Sequence, residues 1–138
     1  MGRGAWLAGL LRVAALLPLP LAHGMGAFLG DLLWRIPGNG PRRIAERNLS
    51  LCFPDWSAAE REALLRRNLR ETGKLLLELG PLWFWSRRRV LALVRESAPG
   101  EEALAAAVRQ KRGAILLTPH LGAWEMAGLY YSSRHPLT

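Results

Sequence analysis

The sequence predicts an α/β protein: an N-terminal membrane-associated helix, a helical segment, then the start of an incomplete α/β domain. Three observations predict it. Residues 13–30, VAALLPLPLAHGMGAFLG, run for 18 positions without a formal charge. Ser57-Ala-Ala-Glu60 opens an apolar stripe at helical spacing. Ala114–Thr118 is a short apolar run cut off by Pro119 and followed by a turn and a second helical pattern. The corresponding divisions are 1–36, 37–98 and 99–138.

Residues 13–30 are long enough for a transmembrane candidate. Pro18 and Pro20 would kink such a helix, and His23 with three glycines lowers its hydrophobicity. Arg3 and Arg12 precede the segment, and Arg35, Arg42, Arg43 and Arg47 follow it. If it spans, that bias places the C-terminal side in the cytoplasm. A helix lying in the interface, with Trp6 and Trp34 near the headgroups, is the other membrane reading. A cleaved signal peptide ranks below both, because no small-x-small site follows and Phe28, Leu32, Leu33 and Trp34 continue the apolar pattern.

PGNGP at 37–41 is a break. RRIAERNLSLCF then reads as a short helix with Ile44, Leu49 and Leu51 as inward positions, ended by Pro54. Ser57 and Glu60 have capping-box spacing. Leu65, Leu69, Thr72, Leu76 and Leu79 follow at steps of three and four, one face of a helix that Gly80-Pro81 is expected to end. LWFW at 82–85 beside Arg87-Arg88-Arg89 could bind a lipid interface or nucleic acid, but reads rather as a core-facing aromatic turn before a solvated helix start. Pro99-Gly100-Glu101-Glu102 marks a helix start, with acids where the helix dipole favours them. That helix is expected to run to about Arg112 and close at Gly113.

The chain has 138 residues, half of them hydrophobic, which excludes a disordered polymer. Its formal charge is +8, carried almost wholly by arginine, with Lys74 and Lys111 the only lysines. Such a surface can meet nucleic acid, anionic lipid or a phosphorylated substrate, and charge alone does not choose. Cys52 is the single cysteine. Between Leu51 and Phe53 it reads as a buried, inert thiol rather than a nucleophile.

The chemistry is expected after the apolar run. Ala114–Thr118 reads as a buried strand, and Pro119 cannot continue a central one. His120 then stands at the carboxyl end of a strand, where ligands of open α/β sheets bind. Residues five apart do not share a helix face. His120 and Glu125 can therefore meet only if the histidine lies on the turn and the glutamate in the first turn of the following helix. Pro119 and Gly122 suit that turn. Glu125 would accept from one ring nitrogen, and the other would serve as a base. The spacing alone is common by chance. The context of apolar strand, Pro-His, Gly, aromatic, acid and apolar helix sharpens it. His23 reads as a packed or interfacial residue, and His135 as a solvated one. A zinc site from His120, His135 and Glu125 lacks familiar ligand spacing, so no metal and no cofactor are expected.

ILLTPHLGAWE resembles the HX4D/E motif of the lysophospholipid acyltransferase superfamily, and in particular the bacterial lipid A biosynthesis (late) acyltransferases. RRIAERNLSLCFPDWSAAER resembles the same family's Arg-Asn-Leu and Phe-Pro segment, so the likeness covers nearly the whole chain. It implies that residues 99–138 begin an α/β acyltransferase core. It implies direct acyl transfer at the inner membrane, on its cytoplasmic face, with His120 as general base and Glu125 holding it. The donor would be acyl carrier protein and the acceptor a hydroxyl of a lipid A precursor, with neither a covalent acyl-enzyme nor a metal. Family members are about twice as long, so the chain reads as an N-terminal fragment, inactive alone. The alternatives are a glycerolipid acyltransferase using acyl-CoA or acyl carrier protein, a basic membrane-associated or nucleic-acid-binding module without enzymatic activity, and a nonfunctional truncated copy. No nucleic-acid motif appears in the sequence, and nucleic acid is not an expected partner.

Overall fold

The computed structural model describes residues 3–94, 100–119 and 122–135. It falls into two compact units, Met1–Trp85 and Ser86–Thr138.

The first unit is built on one long helix. Its chain forms α1 (Arg3–Leu16), α2 (Leu19–Arg35), α3 (Gly40–Cys52) and α4 (Ala58–Phe84), and α1, α2 and α3 all pack on α4. The expected capping box starts α4. The Ser57 hydroxyl accepts from the Glu60 amide at 3.2 Å, and the Glu60 carboxylate accepts from the Ser57 amide at 2.8 Å. Both amides would otherwise lack partners at the helix end. The hydroxyl and then the amide of Ser57 hold the Glu60 carboxyl below its usual range.

The buried face of α4 departs from the expected stripe. Leu65 and Leu69 are buried as anticipated, but the line continues through Gly73, Leu77 and Gly80, leaving Thr72 and Leu76 exposed. The cause is backbone contact. α2 brings Gly26 and Gly30 against Gly73, so close that an added Cβ on Gly26 would lie 2.5 Å from the Gly73 carbonyl oxygen. Gly80 likewise admits α1, since a Cβ there would lie 2.5 Å from the Leu11 carbonyl oxygen. Gly80-Pro81 does not end the helix. Pro81 lacks the N–H that would bond one turn back, yet α4 runs on to Phe84, and the Trp85 amide donates to the Pro81 carbonyl at 3.0 Å. Trp85 also ties the end of α4 to α1, its indole donating to the Ala15 carbonyl at 2.6 Å.

The apolar stretch 13–30 is not one helix. It breaks at Leu17, and Pro18 caps α2 with Pro20 in its first turn. Proline is accepted in a first helical turn and disfavoured further in, and here two prolines divide the run. Among the described residues no helix is long and apolar enough to cross a membrane.

α3 starts at Asn39, whose side chain accepts from the Arg42 amide at 3.0 Å. Of its three expected inward positions only Leu49 is partly buried, while Ile44 and Leu51 are exposed. Cys52 is exposed as well, contrary to the buried thiol expected. α3 packs on α4 less extensively than α1 and α2 do, and touches α2 only slightly.

Polar ties complete this unit. Asp31 is nearly buried and paired with Arg66 (Nε to Oδ1, 2.7 Å) and with Arg70. The Arg66 hydrogen bond, then the charges of both arginines, outweigh burial and hold its carboxyl below the usual range. Arg66 also lies over the Trp34 ring at 4.9 Å, and the Trp34 indole donates to Glu62 at 2.6 Å.

The second unit holds α5 (Arg87–Leu91), α6 (Glu101–Arg109) and α7 (Glu125–Ser132). Ser86 caps α5, accepting from the Arg89 amide at 3.3 Å. α6 starts where the sequence indicated but stops at Arg109. Lys111, at φ 54°, takes the left-handed position that Gly113 was expected to supply. The strand expected at 114–118 is absent among the described residues: residues 112–119 form no regular structure, with Ile115 and Leu117 fully exposed. A strand exists only through hydrogen bonds to a neighbour, and no described segment pairs with this one. The described residues are thus all-helical where an α/β arrangement was expected.

Candidate active site

The local chain around the predicted site is a run without regular structure, a turn and a helix. Gly122 has φ +58°, a left-handed conformation that costs little only without a Cβ. From it the chain winds directly into α7: the Trp124 amide donates to the Gly122 carbonyl at 2.9 Å and the Met126 amide to the Ala123 carbonyl at 2.9 Å. Glu125 is the first residue of α7 and is partly buried. The sequence placed the acid in this first turn, where the positive end of the helix dipole favours an anionic side chain. His120 lies outside the described residues, as does Leu121.

What holds α7 was not foreseen. Tyr130, one of the few buried side chains here, donates its phenol to Glu101 at 3.1 Å, joining α7 to the first residue of α6. Burial, and next the hydrogen bond to Glu101, push that phenol above its usual range. Arg134 lies over the Tyr130 ring at 3.8 Å and reaches Glu101 at 3.9 Å. Arg87 donates to the Ser133 carbonyl at 2.6 Å, tying the end of α7 to α5. The helix that carries Glu125 is therefore fixed at its far end to both other helices of the unit. The only sequence signal was a Tyr-Tyr pair in a helical pattern, which does not name its partners.

His23 and His135 are not part of this arrangement as described. His23, on α2, faces Glu78 on α4. Among the described residues no three His, Cys, Asp or Glu side chains come together to hold a metal.

A family model described as bacterial lipid A biosynthesis acyltransferase matches residues 3–138. The chain is 33% identical over 132 residues to the lipid A biosynthesis lauroyltransferase of Escherichia coli K12, covering 95% of this chain and 42% of that protein. It is 34% identical over 121 residues to a lipid A biosynthesis acyltransferase of Haemophilus influenzae, covering 87% and 38% respectively. It is 28% identical over 131 residues to a phosphatidylinositol mannoside acyltransferase of Mycobacterium tuberculosis, covering 95% and 40%. No solved structure matches at a significant level. The chain thus spans about two fifths of the length of the relatives it matches. With the family pattern running through both helical units and across the turn that leads into Glu125, the chain belongs to the bacterial lipid A biosynthesis acyltransferase family.

Proposed function

We propose that this chain is the N-terminal part of an acyltransferase of lipid A biosynthesis. In that enzyme a fatty acyl group passes from acyl carrier protein to a hydroxyl of a lipid A precursor, at the cytoplasmic face of the inner membrane. The observation that carries the reading is the family match through residue 138, together with the position of Glu125 one turn past a glycine elbow.

The chemistry follows from ordinary acid–base roles. His120 takes the proton of the acceptor hydroxyl as its oxygen attacks the thioester carbonyl. The tetrahedral intermediate collapses, the C–S bond breaks, and the departing thiolate takes the proton back from the imidazolium. Glu125 accepts from the other ring nitrogen, fixing the tautomer and stabilising the transient cation. In support of this role, the helix that carries Glu125 is held at its far end through Tyr130 and Arg134 to Glu101 and through Ser133 to Arg87. The arginine-rich surface suits an acidic carrier protein and a phosphorylated glycolipid.

The Mycobacterium tuberculosis relative, named for a phosphatidylinositol mannoside, supports a second reading in which the acceptor is a glycerolipid. The test is acyl transfer by a chain that carries this sequence and reaches the length of its relatives. Labelled acyl carrier protein and acyl-CoA are offered in turn, against lipid A precursor and lysophospholipid. Product only from the carrier protein and the lipid A precursor is expected. Product only with a glycerolipid acceptor selects the second reading, and none with any pair removes both.

A further inference from the structure

α3 keeps a face that the fold does not use. On the side of α4, Arg42, Ala45 and Leu49 are partly buried, and Leu49 lines a cleft with Ala58 and Leu65 of α4. Arg43, Ile44, Arg47 and Leu51 are related by steps of three, four and seven, which places them together on the other side of the helix. All four are exposed, Ile44 by 61% and Leu51 by 64%. Two arginines one turn apart, roughly 6 Å along the axis, thus share a face with two large aliphatic side chains.

The nearby acids are spent elsewhere. Glu46, the one acid of α3, accepts from Arg42 Nε at 2.6 Å, and Glu62 accepts from the Trp34 indole at 2.6 Å and from Arg42 at 3.3 Å. Among the described residues Arg43 and Arg47 have no ion-pair partner. The helix is also fixed at both ends. Asn39 caps its start and donates to the Leu33 carbonyl at 2.6 Å, while Arg61 donates to the Phe53 and Pro54 carbonyls, at 3.2 and 3.3 Å, just past its end. A face held this way loses little freedom on binding. Its composition indicates the partner. A second copy meeting it across a two-fold axis would set arginine against arginine. A helix lying in lipid carries an unbroken apolar face with its cations on the other side, whereas here Arg47 stands between Ile44 and Leu51. Arginine mixed with apolar side chains is the make-up of a protein interface, and the guanidinium fork matches carboxylates.

We propose that the outer face of α3 docks an acidic protein helix, that of the acyl carrier protein which brings the donor. Arg43 and Arg47 pair with carboxylates one turn apart on that helix, and Ile44 and Leu51 cover the apolar side chains between them. The inference rests on the carrier protein being the donor, as read above, and adds the surface that receives it.

The experiment measures binding of fluorescently labelled acyl carrier protein to the chain by anisotropy. Arg43→Glu with Arg47→Glu should weaken binding at least about tenfold, and raised salt should weaken it in the unaltered chain. Arg43→Lys with Arg47→Lys should keep most of it. The exposed positions leave the helical circular dichroism unchanged, and Ile44→Ser with Leu51→Ser gives a second variant that keeps every charge and should also bind more weakly. A photoactivatable label on native Cys52, exposed beside Leu51, should cross-link the carrier protein. In a chain of the relatives' length the charge reversal should raise KM for the loaded carrier protein at least about tenfold and leave kcat and KM for the acceptor unchanged. Carrier binding that survives both double variants would overturn the docking assignment while leaving the donor reading intact. Absence of both binding and transfer in the unaltered protein would remove the donor reading itself. Charge reversal that instead releases the chain from phosphatidylglycerol vesicles, or splits a dimer of it, with carrier binding intact, would give the face to lipid or to a second copy and overturn the proposal.

Discussion

Replacing Gly73 with alanine probes the contact on which the first unit is built. A methyl group there would lie 2.0 Å from the Gly26 carbonyl oxygen, 2.9 Å from its carbon and 3.2 Å from the Gly30 nitrogen. Ordinary contact begins at 3.4 Å, so α2 must retreat by more than about 1 Å, because backbone cannot swing aside. That movement also pulls Asp31 from Arg66, now 2.7 Å away. Alanine returns about 1 kcal/mol of helix propensity, while overpacking costs typically 1–3 kcal/mol, here at or above the upper end. The net loss is about 2 kcal/mol, or roughly 8–16 °C in the melting midpoint of a unit this size. Gly24→Ala is the internal control. It lies two residues from Gly26 on the same helix with nothing within 4 Å of its added Cβ, and it should gain up to about 1 kcal/mol. Thermal unfolding followed by circular dichroism measures both. A Gly73→Ala chain as stable as the Gly24→Ala chain would refute the close-packed crossing.

Three further outcomes follow from the same contacts. Asp31 has a folded pKa below its unfolded value, so its pairing stabilises the fold fully above about pH 4 and ceases to do so as the pH falls through the lower folded value. Asp31→Asn should therefore destabilise the chain at neutral pH and flatten the loss of stability on acidification; an unchanged acid titration of stability would contradict the pairing. Ser57→Ala removes the α4 cap and should cost about 1 kcal/mol in urea unfolding, whereas Ser57→Asp should keep most of it. The 138-residue chain alone should show negligible acyl transfer from acyl carrier protein, and turnover by it would mean that the catalytic groups are complete within this length.

Local signals were legible in the sequence and tertiary ones were not. The Ser57–Glu60 cap, the start of α6 at Glu101, the turn at Gly122 and the placing of Glu125 in a first helical turn each depend on a few neighbouring residues, and each stands as read. The burial of Gly73 and Gly80 in place of Thr72 and Leu76 depends on which helix comes to meet α4, and an apolar periodicity cannot register a glycine as a contact. For the same reason Ile44 and Leu51 are left outside and Pro81 is kept inside a helix. The apolar run at 114–118 has the composition of a strand, but composition does not supply the neighbour that pairing needs. At the site the sequence offered the acid and the turn. The Tyr130–Glu101–Arg134 clamp joins residues 29 apart in sequence, out of reach of local patterning.

The most direct test is the turnover of a chain that carries this sequence at the length of its relatives, measured with saturating acyl donor and acceptor. His120→Ala should lower kcat by at least about 100-fold, as expected for losing a general base, with KM for the acceptor little changed. Glu125→Gln should fall between that variant and the unaltered enzyme. Full turnover by His120→Ala would contradict the assignment of this imidazole as the base.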